Sequence, residues 1–266
     1  MILAPTLSLN TPARGFDADA TAFAAASGAT DVAALSAFVK GVKELGLWNS
    51  MVCWPLRSSQ NAGTGTTAYS LGGLGTFNGT LTDGPVWTVD GIDMNASSSQ
   101  RIVVGPSPFT DFVNGHSFWA SIKTTGPYPS SNTSTEQWGM RQSGTITQLG
   151  QRGSGNAGGV FIGAYRTETT GYNSGFFNPN FTEFGAFSFD ASIPLARYRV
   201  GTQAPTGGSG ASINAYSGDL TIGPTIDGRS TTSMLMVFTP QYNLGAVRDS
   251  LESLYKSTLG TGLGLP

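Results

Sequence analysis

Few residues in this chain are equipped for making or breaking bonds, and their spacing keeps them apart. One histidine, His116, and one cysteine, Cys53, occur in 266 residues. A lone histidine rules out multi-histidine metal sites and Cys/His zinc clusters. A nucleophilic triad would have to recruit a distant Ser and Asp to it, and no Gly-x-Ser-x-Gly elbow precedes a helix. His116 instead follows Asn114-Gly115, as the end of a loop leading into a strand. Cys53 lies in the apolar run Met51-Val52-Cys53-Trp54, the setting of a buried small hydrophobe rather than a thiolate nucleophile. Glycan hydrolysis with retention needs two carboxyl groups about 5–5.5 Å apart. Glu136, Glu168 and Glu183 stand alone, and Asp90 and Asp93 lie three apart across a turn, which puts no pair on one strand face. No catalytic residue emerges, and the chain is read as non-enzymatic.

Two groups of residues suit binding instead. Asp90, Asp93 and Asn95 offer oxygens at near-alternate positions around a turn, the ligand type calcium takes, although such residues also bond their own backbone. No other cofactor is suggested. The segment from Tyr165 to Phe184 sets Tyr172, Phe176, Phe177 and Phe181 among Asn and Gly. Ring faces stack on sugar C–H surfaces while amides bond the hydroxyls, so these four are candidates for carbohydrate binding. The competing reading is that the rings fill a sandwich end or a subunit contact.

Composition narrows the partners. Only 11% of residues are charged, against about 25% in ordinary soluble domains, and the net charge is −2. There is no basic stripe for nucleic acid. No run approaches the roughly 20 apolar residues of a membrane span. The start, Met1 to Leu9, lacks the charged and continuous apolar regions of a secretory signal, so synthesis in a cytoplasm without the usual export is expected. The triplets at Asn78, Asn95, Asn132 and Asn180 then follow from composition, not glycosylation. So little charge suits a component of an assembly whose surface neighbours cover.

The elements that must position these residues fall into three parts. Residues 1–16 form an arm with apolar Ile2, Leu7, Leu9 and Phe16. Residues 17–48 read as a helical lead-in: an alanine-rich turn or two opened by Asp17 and closed by Gly28, then a helix over Thr30–Leu45. Leu35, Phe38 and Val42 belong to the apolar stripe of that helix. The stripe is read as a lid over one end of the following domain or as a docking face. Together Ile2, Leu7, Leu9, Phe16, Leu35, Phe38 and Val42 are the candidate assembly interface. Residues 49–266 carry short strand candidates separated by Gly-rich turns, the pattern of a β-sandwich, and end in a helix over Asn243–Leu259. Strands are expected at Met51–Leu56, Val86–Val89, Ile102–Val104, His116–Ile122, Thr145–Leu149, Gly159–Tyr165, Ala186–Phe189, Arg197–Val200, Ser212–Tyr216 and Ser233–Phe238.

Three stretches carry a family resemblance: Asp17-Ala18-Asp19-Ala20 through Gly46-Leu47-Trp48; the hairpin Trp87-Thr88-Val89-Asp90-Gly91-Ile92-Asp93 with the later strand Ser117–Ile122; and the ending Leu251-Glu252-Ser253-Leu254-Tyr255-Lys256-Ser257-Thr258-Leu259-Gly260. In this order they resemble tailed-bacteriophage virion proteins with a concanavalin A-like, laminin-G-like jelly roll. The stretches cover about a third of the chain. Met234-Leu235-Met236-Val237-Phe238 stands where such sandwiches carry an Asp-x-x-Arg-hydrophobic-Tyr strand. The resemblance implies a mainly β fold and a structural role in the virion: capsid decoration, head fibre or tail appendage. It implies contacts with major capsid or tail proteins and a homo-oligomeric state. The alternative is a carbohydrate-binding adhesin that recognises host-surface glycans.

Overall fold

The computed structural model describes residues 15–95, 98–105, 116–124, 134–142, 145–152, 159–165, 174–177, 183–190, 195–200, 206–209, 219–224, 229–240 and 242–265. Ile2, Leu7, Leu9, Tyr172, Phe181, Glu168 and the strand expected at Ser212–Tyr216 lie outside them.

Two apolar runs of unbroken hydrophobicity explain the layout. Strand β1 (Met51–Pro55) is buried at every position. So is most of the long strand that closes the sandwich, Arg229–Pro240. A strand with one wet face alternates; a strand buried on both faces reads as a continuous run. Met51, Cys53, Met234, Met236 and Phe238 belong to one apolar cluster, and Val52, Trp54, Leu235 and Val237 to another. The sheet that holds these strands is therefore a middle layer.

Its chain order is set by the remaining strands. Among the described residues β2 is Thr67–Ala68, β3 Gly79–Thr82, β4 Val86–Trp87, β5 Ile92–Asn95, β6 Arg101–Val104, β7 His116–Thr124, β8 Ser134–Gln142 and β9 Thr145–Arg152. Then come β10 (Gly159–Tyr165), β11 (Ser174–Phe177), β12 (Gly185–Asp190), β13 (Leu195–Val200), β14 (Thr206–Ser209), β15 (Leu220–Gly223) and β16 (Arg229–Pro240). The first eight-stranded sheet runs β14-β13-β12-β7-β16-β5-β4, with β1 also on β16. The long β16 thus has room along one edge for two partners, β5 at Arg229–Thr232 and β1 at Met234–Phe238. The second sheet runs β11-β10-β9-β8-β15-β6-β3-β2. All described pairings are antiparallel. Between the sheets lie Trp54, Ile92, Ile102, Phe118, Ile122, Phe187, Leu220 and Ile222.

The other face of the first sheet is covered by three helices. Helix α1 (Ala18–Ser27) is capped by the Asp17 carboxylate, which accepts from the Asp19 and Ala20 N–H groups, and ends at Gly28 with φ 81°. Helix α2 (Val32–Glu44) is capped by Asp31. The C-terminal helix begins later than expected: a 3-10 turn at Leu244–Ala246, capped by Asn243, precedes α3 (Arg248–Ser257). Leu35, Phe38, Val39 and Val42 of α2 and Leu251 and Tyr255 of α3 share a cluster with Met51, Trp119, Met234 and Phe238. The expectation of a lid over one end is corrected: the helices lie on a face of the sheet. Helical periodicity defines a stripe, not what it lies on.

Candidate functional site

The helical layer settles one group of candidate residues first. Leu35, Phe38 and Val42 are 0%, 1% and 0% exposed. Their apolar surface is spent within the chain, so the docking role expected for them is corrected to a core role. Phe16, just ahead of the Asp17 cap, is 61% exposed and remains available. The chain on either side of it is fastened: the Gly15 carbonyl accepts from Lys40 Nζ at 2.8 Å, and the Asp17 N–H donates to Ser36 Oγ at 2.7 Å. Lys43 Nζ adds ion pairs to Asp17 at 2.9 Å and Asp19 at 2.6 Å, and sits 4.9 Å from the Trp48 ring centroid. Burial raises the Asp17 pKa, but hydrogen bonds from Lys43 and from the Asp19 and Ala20 N–H groups outweigh it, so the net shift is downward.

The Asp90, Asp93 and Asn95 group is divided by the fold. Asp90 occupies the turn, where the Thr88 hydroxyl accepts from the N–H groups of Asp90 and Gly91. Asp93 and Asn95 lie on β5, and the Asp93 carboxylate accepts the hydroxyl of Thr231, its cross-strand partner. The Asn95 N–H donates to Gln100 Oε1 at 2.9 Å. Among the described residues no three His, Cys, Asp or Glu side chains gather closely enough to hold a metal. Cys53 is fully buried and burial pushes its thiol pKa far up, which leaves it inert as a nucleophile.

Phe176 and Phe177, the aromatic candidates among the described residues, sit at an edge. Phe176 and Phe177 are consecutive positions of β11, the terminal strand of the second sheet, with Phe177 in register with Val160 of β10. That sheet carries the surface the helices leave alone. On β3, β6 and β15, Leu81, Ile102, Leu220 and Ile222 enter the core. Their neighbours Thr80, Val103 and Thr221 lie on the opposite face, in one cross-strand row that Thr67 extends. Thr80 is exposed, and Thr67, Val103 and Thr221 are partly so. The alternating polar and apolar residues of Gly79–Thr82 and Leu220–Gly223 were the sequence signal for this row, too short to stand out.

A further pair of residues, Arg57 and Gln60, gave no sequence signal. Arg57 donates from Nε to the Val89 carbonyl at 2.7 Å, and from Nη1 to the carbonyls of Leu259 and Thr261, both at 2.9 Å. Gln60 Nε2 donates to the same Leu259 carbonyl at 2.9 Å. The Asp-Gly hairpin and the C-terminal ending, far apart in sequence, are joined through one guanidinium.

No family model matches the chain, and no curated protein does. Solved structures do resemble it. Over 77% of this chain and 52% of that one, it matches a crystal structure of HCR/D-Sa-GBL1/C with a TM-score of 0.51 and 9% identity. The binding domain of Botulinum Neurotoxin DC in complex with SialylT matches with a TM-score of 0.49 and 10% identity, over 76% of this chain and 50% of that one. Trypanosoma rangeli sialidase matches with a TM-score of 0.48 and 15% identity, over 86% of this chain and 40% of that one. The chain spans about half or less of the length of these proteins. At such identities the likeness is one of fold: the chain is a mainly β, jelly-roll-like sandwich.

Proposed function

We propose that this chain is a non-enzymatic carbohydrate-binding module. The observation that carries the reading is the asymmetry of the sandwich. One sheet has both faces occupied, by the second sheet and by the helices, whereas the second sheet keeps a face of hydroxyl-bearing and partly exposed residues. A surface with little charge and many hydroxyl and amide groups suits a neutral polyhydroxylated ligand, which needs directional hydrogen bonds and an apolar platform. The test is binding of the purified chain to an array of bacterial and host surface glycans. Saturable binding with no release of cleaved sugar is expected. Silence across the array removes the carbohydrate reading, and released product removes the non-enzymatic one.

A second reading, a structural component of a tailed-phage virion, is supported by a separate observation. The stretches behind the phage resemblance are brought into one structural unit: the Asp17–Trp48 lead-in packs with α3, and Arg57 ties the Val89 hairpin to Leu259 and Thr261. In this reading the module is displayed on a capsid or tail in several copies, with the N-terminal arm and Phe16 as its attachment. Repetition would multiply a modest affinity for each glycan. The two readings are compatible on one particle.

A further inference from the structure

Beyond helix α3 the chain continues as the segment Leu259–Leu265, which is fastened mainly by side chains of another loop. Leu259, Leu263 and Leu265 lie in the apolar cluster with Leu251 and Tyr255. The backbone bonds of the segment are local. The Gly260 N–H donates to the Tyr255 carbonyl at 2.7 Å, that of Thr261 to Thr258 at 3.4 Å and that of Leu263 to Gly260 at 3.1 Å. Among the described residues its polar ties to the rest of the domain come from Arg57, on the carbonyls of Leu259 and Thr261, and from Gln60, on that of Leu259. A Cβ at Gly260 would stand 2.7 Å from the Tyr255 ring and 2.8 Å from Leu265 Cδ1, so the segment folds back closely on itself and on α3.

One member of this clasp is only half satisfied. Gln60 is 1% exposed, and while its Nε2 donates to Leu259, its Oε1 meets no donor among the described residues. An amide has both donors and an acceptor to satisfy, and a buried acceptor left unmade costs its desolvation in full. Asn61 beside it shows the contrast. Equally buried, it donates from Nδ2 to the Pro55 and Tyr69 carbonyls and accepts at Oδ1 from the Ala62 and Tyr69 N–H groups. Nor does the Leu259 carbonyl depend on Gln60, since Arg57 Nη1 already reaches it at 2.9 Å. The closed segment therefore holds the Gln60 amide at a cost that is relieved when the segment lifts and water reaches it.

We infer that Leu259–Leu265 is a releasable strap. It opens as one unit while α3 and the sheets stay folded, and the unpartnered Gln60 oxygen sets how readily it does so. Local openings span the range from almost no cost up to global unfolding, and segments with few bonds to the body of a domain lie at the low end. Opening has a consequence elsewhere. Arg57 Nε also holds the carbonyl of Val89, in the hairpin that carries the exposed Val86 and Val89. With the strap closed, that hairpin and the end of α3 are tied through one guanidinium. With it open, Arg57 keeps only its bond to Val89. The strap thus sets whether the exposed hairpin and the helical layer move as one body. The device works the same way on a glycan-binding module and on a virion component.

The experiment is native-state amide exchange on the full chain, comparing wild type with Gln60→Met and Gln60→Leu. Methionine is unbranched and adaptable, and fills the space of glutamine without its polar atoms. Gly260 and Leu263 report on the strap. Leu251, whose N–H donates to Val247, and Cys53, whose N–H donates to Leu71, report on α3 and the sheet. In wild type, Gly260 and Leu263 should share one opening constant, about tenfold or more above those of Leu251 and Cys53. Gln60→Met should lower that constant by about threefold or more and leave Leu251 unchanged, because it removes the unmet acceptor together with a bond the Leu259 carbonyl does not need. Were Gln60 simply holding the segment down, the same change would have the opposite sign. Faster or unchanged exchange in the Gln60 variants overturns the inference. So does a strap that opens no faster than Leu251, or clearly different constants at Gly260 and Leu263, which is fraying residue by residue. Should Gln60→Met melt early, Gln60→Leu decides the sign.

Discussion

The Tyr255 hydroxyl donates to Ser233 Oγ at 2.9 Å, and Ser233 is the extra residue of a bulge in β16. Opposite β7, Thr232 pairs with Ile122 and Met234 with the very next residue, Ser121, so Ser233 has no partner of its own. Bulges re-aim a side chain. Here the bulge brings the Ser233 hydroxyl to Tyr255 of α3 and to Ser121 Oγ, 2.7 Å away. The trio is a buried polar island in the apolar layer beneath the helices, next to the edge-on contact of Tyr255 with Trp119 at 5.0 Å. One hydrogen-bonded point fixes where α3 lies on the sheet.

Removing that point takes the Tyr255 donor from the buried Ser233 oxygen, which keeps only its bonds to Ser121. Tyr255→Phe should cost about 0.5–1.5 kcal/mol in urea unfolding, the net value of the one hydrogen bond it removes. Burial pushes the Tyr255 pKa up to about 12. The sign follows: the unfolded chain releases this proton near pH 10 and the folded chain only near pH 12, so stability from this group is complete below pH 10 and lost between pH 10 and 12. Melting temperature should fall over that window more steeply in wild type than in Tyr255→Phe. Equal slopes would show that Tyr255 is not the group responsible.

Arg57 makes a second prediction. Its guanidinium satisfies three backbone carbonyls from two remote segments, a fork geometry an ammonium does not reproduce. Arg57→Lys should lose about 1 kcal/mol, since only the bond to Leu259 is partly buried and those to Val89 and Thr261 are exposed. Amide exchange should accelerate at Gly260 and Leu263, whose N–H groups donate to Tyr255 and Gly260 carbonyls. Unchanged exchange there would mean that helix α3 alone holds the ending.

What the sequence revealed and what it hid follow from how local each signal is. The stripe of Leu35, Phe38, Val39 and Val42 and the caps Asp17 and Asp31 are local, and the helices were legible with boundaries shifted by a residue or two. The unbroken runs at Met51–Pro55 and Met234–Phe238 marked strands correctly, and they also held the evidence for a middle layer, since both faces are apolar. Strands β2, β3, β5, β8, β11, β14 and β15 were missed. Ser134–Gln142 is largely polar and Thr206–Ser209 is Thr-Gly-Gly-Ser, so pairing with neighbours, not propensity, makes them strands. The register of the second sheet was illegible for a stronger reason. Gly139, Gly150 and Gly163 become neighbours only through register, which no single segment encodes.

The lead-in clamp gives a prediction at acid pH. The Asp17 pKa is lowered, so its contribution is present above the ordinary carboxylate value near 3.8 and is lost as pH falls through the lower folded value. Asp17→Asn keeps a capping oxygen for α1 but removes the ion pair with Lys43, whereas Asp17→Ala also removes the cap, worth about 1 kcal/mol. Between pH 5 and pH 2.5, wild type should lose protection of the α1 amides. Asp17→Asn should start lower and change less over the same range. A wild-type profile no steeper than that of Asp17→Asn would remove Asp17 as the acid-sensitive group.

The arm provides the last prediction, and the fold sharpens it. Because Leu35, Phe38 and Val42 are committed to the core, the proposed virion role would leave attachment to Phe16 and the residues before it. Deleting residues 1–16 stops short of the Asp17 carboxylate that caps α1, and of Ser36 and Lys43 that hold it. The truncated chain should therefore keep its folded core, with a melting temperature within a few degrees of the full chain. Phe16→Ser should be equally benign, since an exposed ring contributes little to the core. If the chain is a virion component, both changes should lower its incorporation into particles, the deletion to background and Phe16→Ser by a smaller factor. Normal incorporation of the truncated chain would remove the arm as the attachment and move the search to the exposed Val86 and Val89 around β4, the last strand of the first sheet among the described residues.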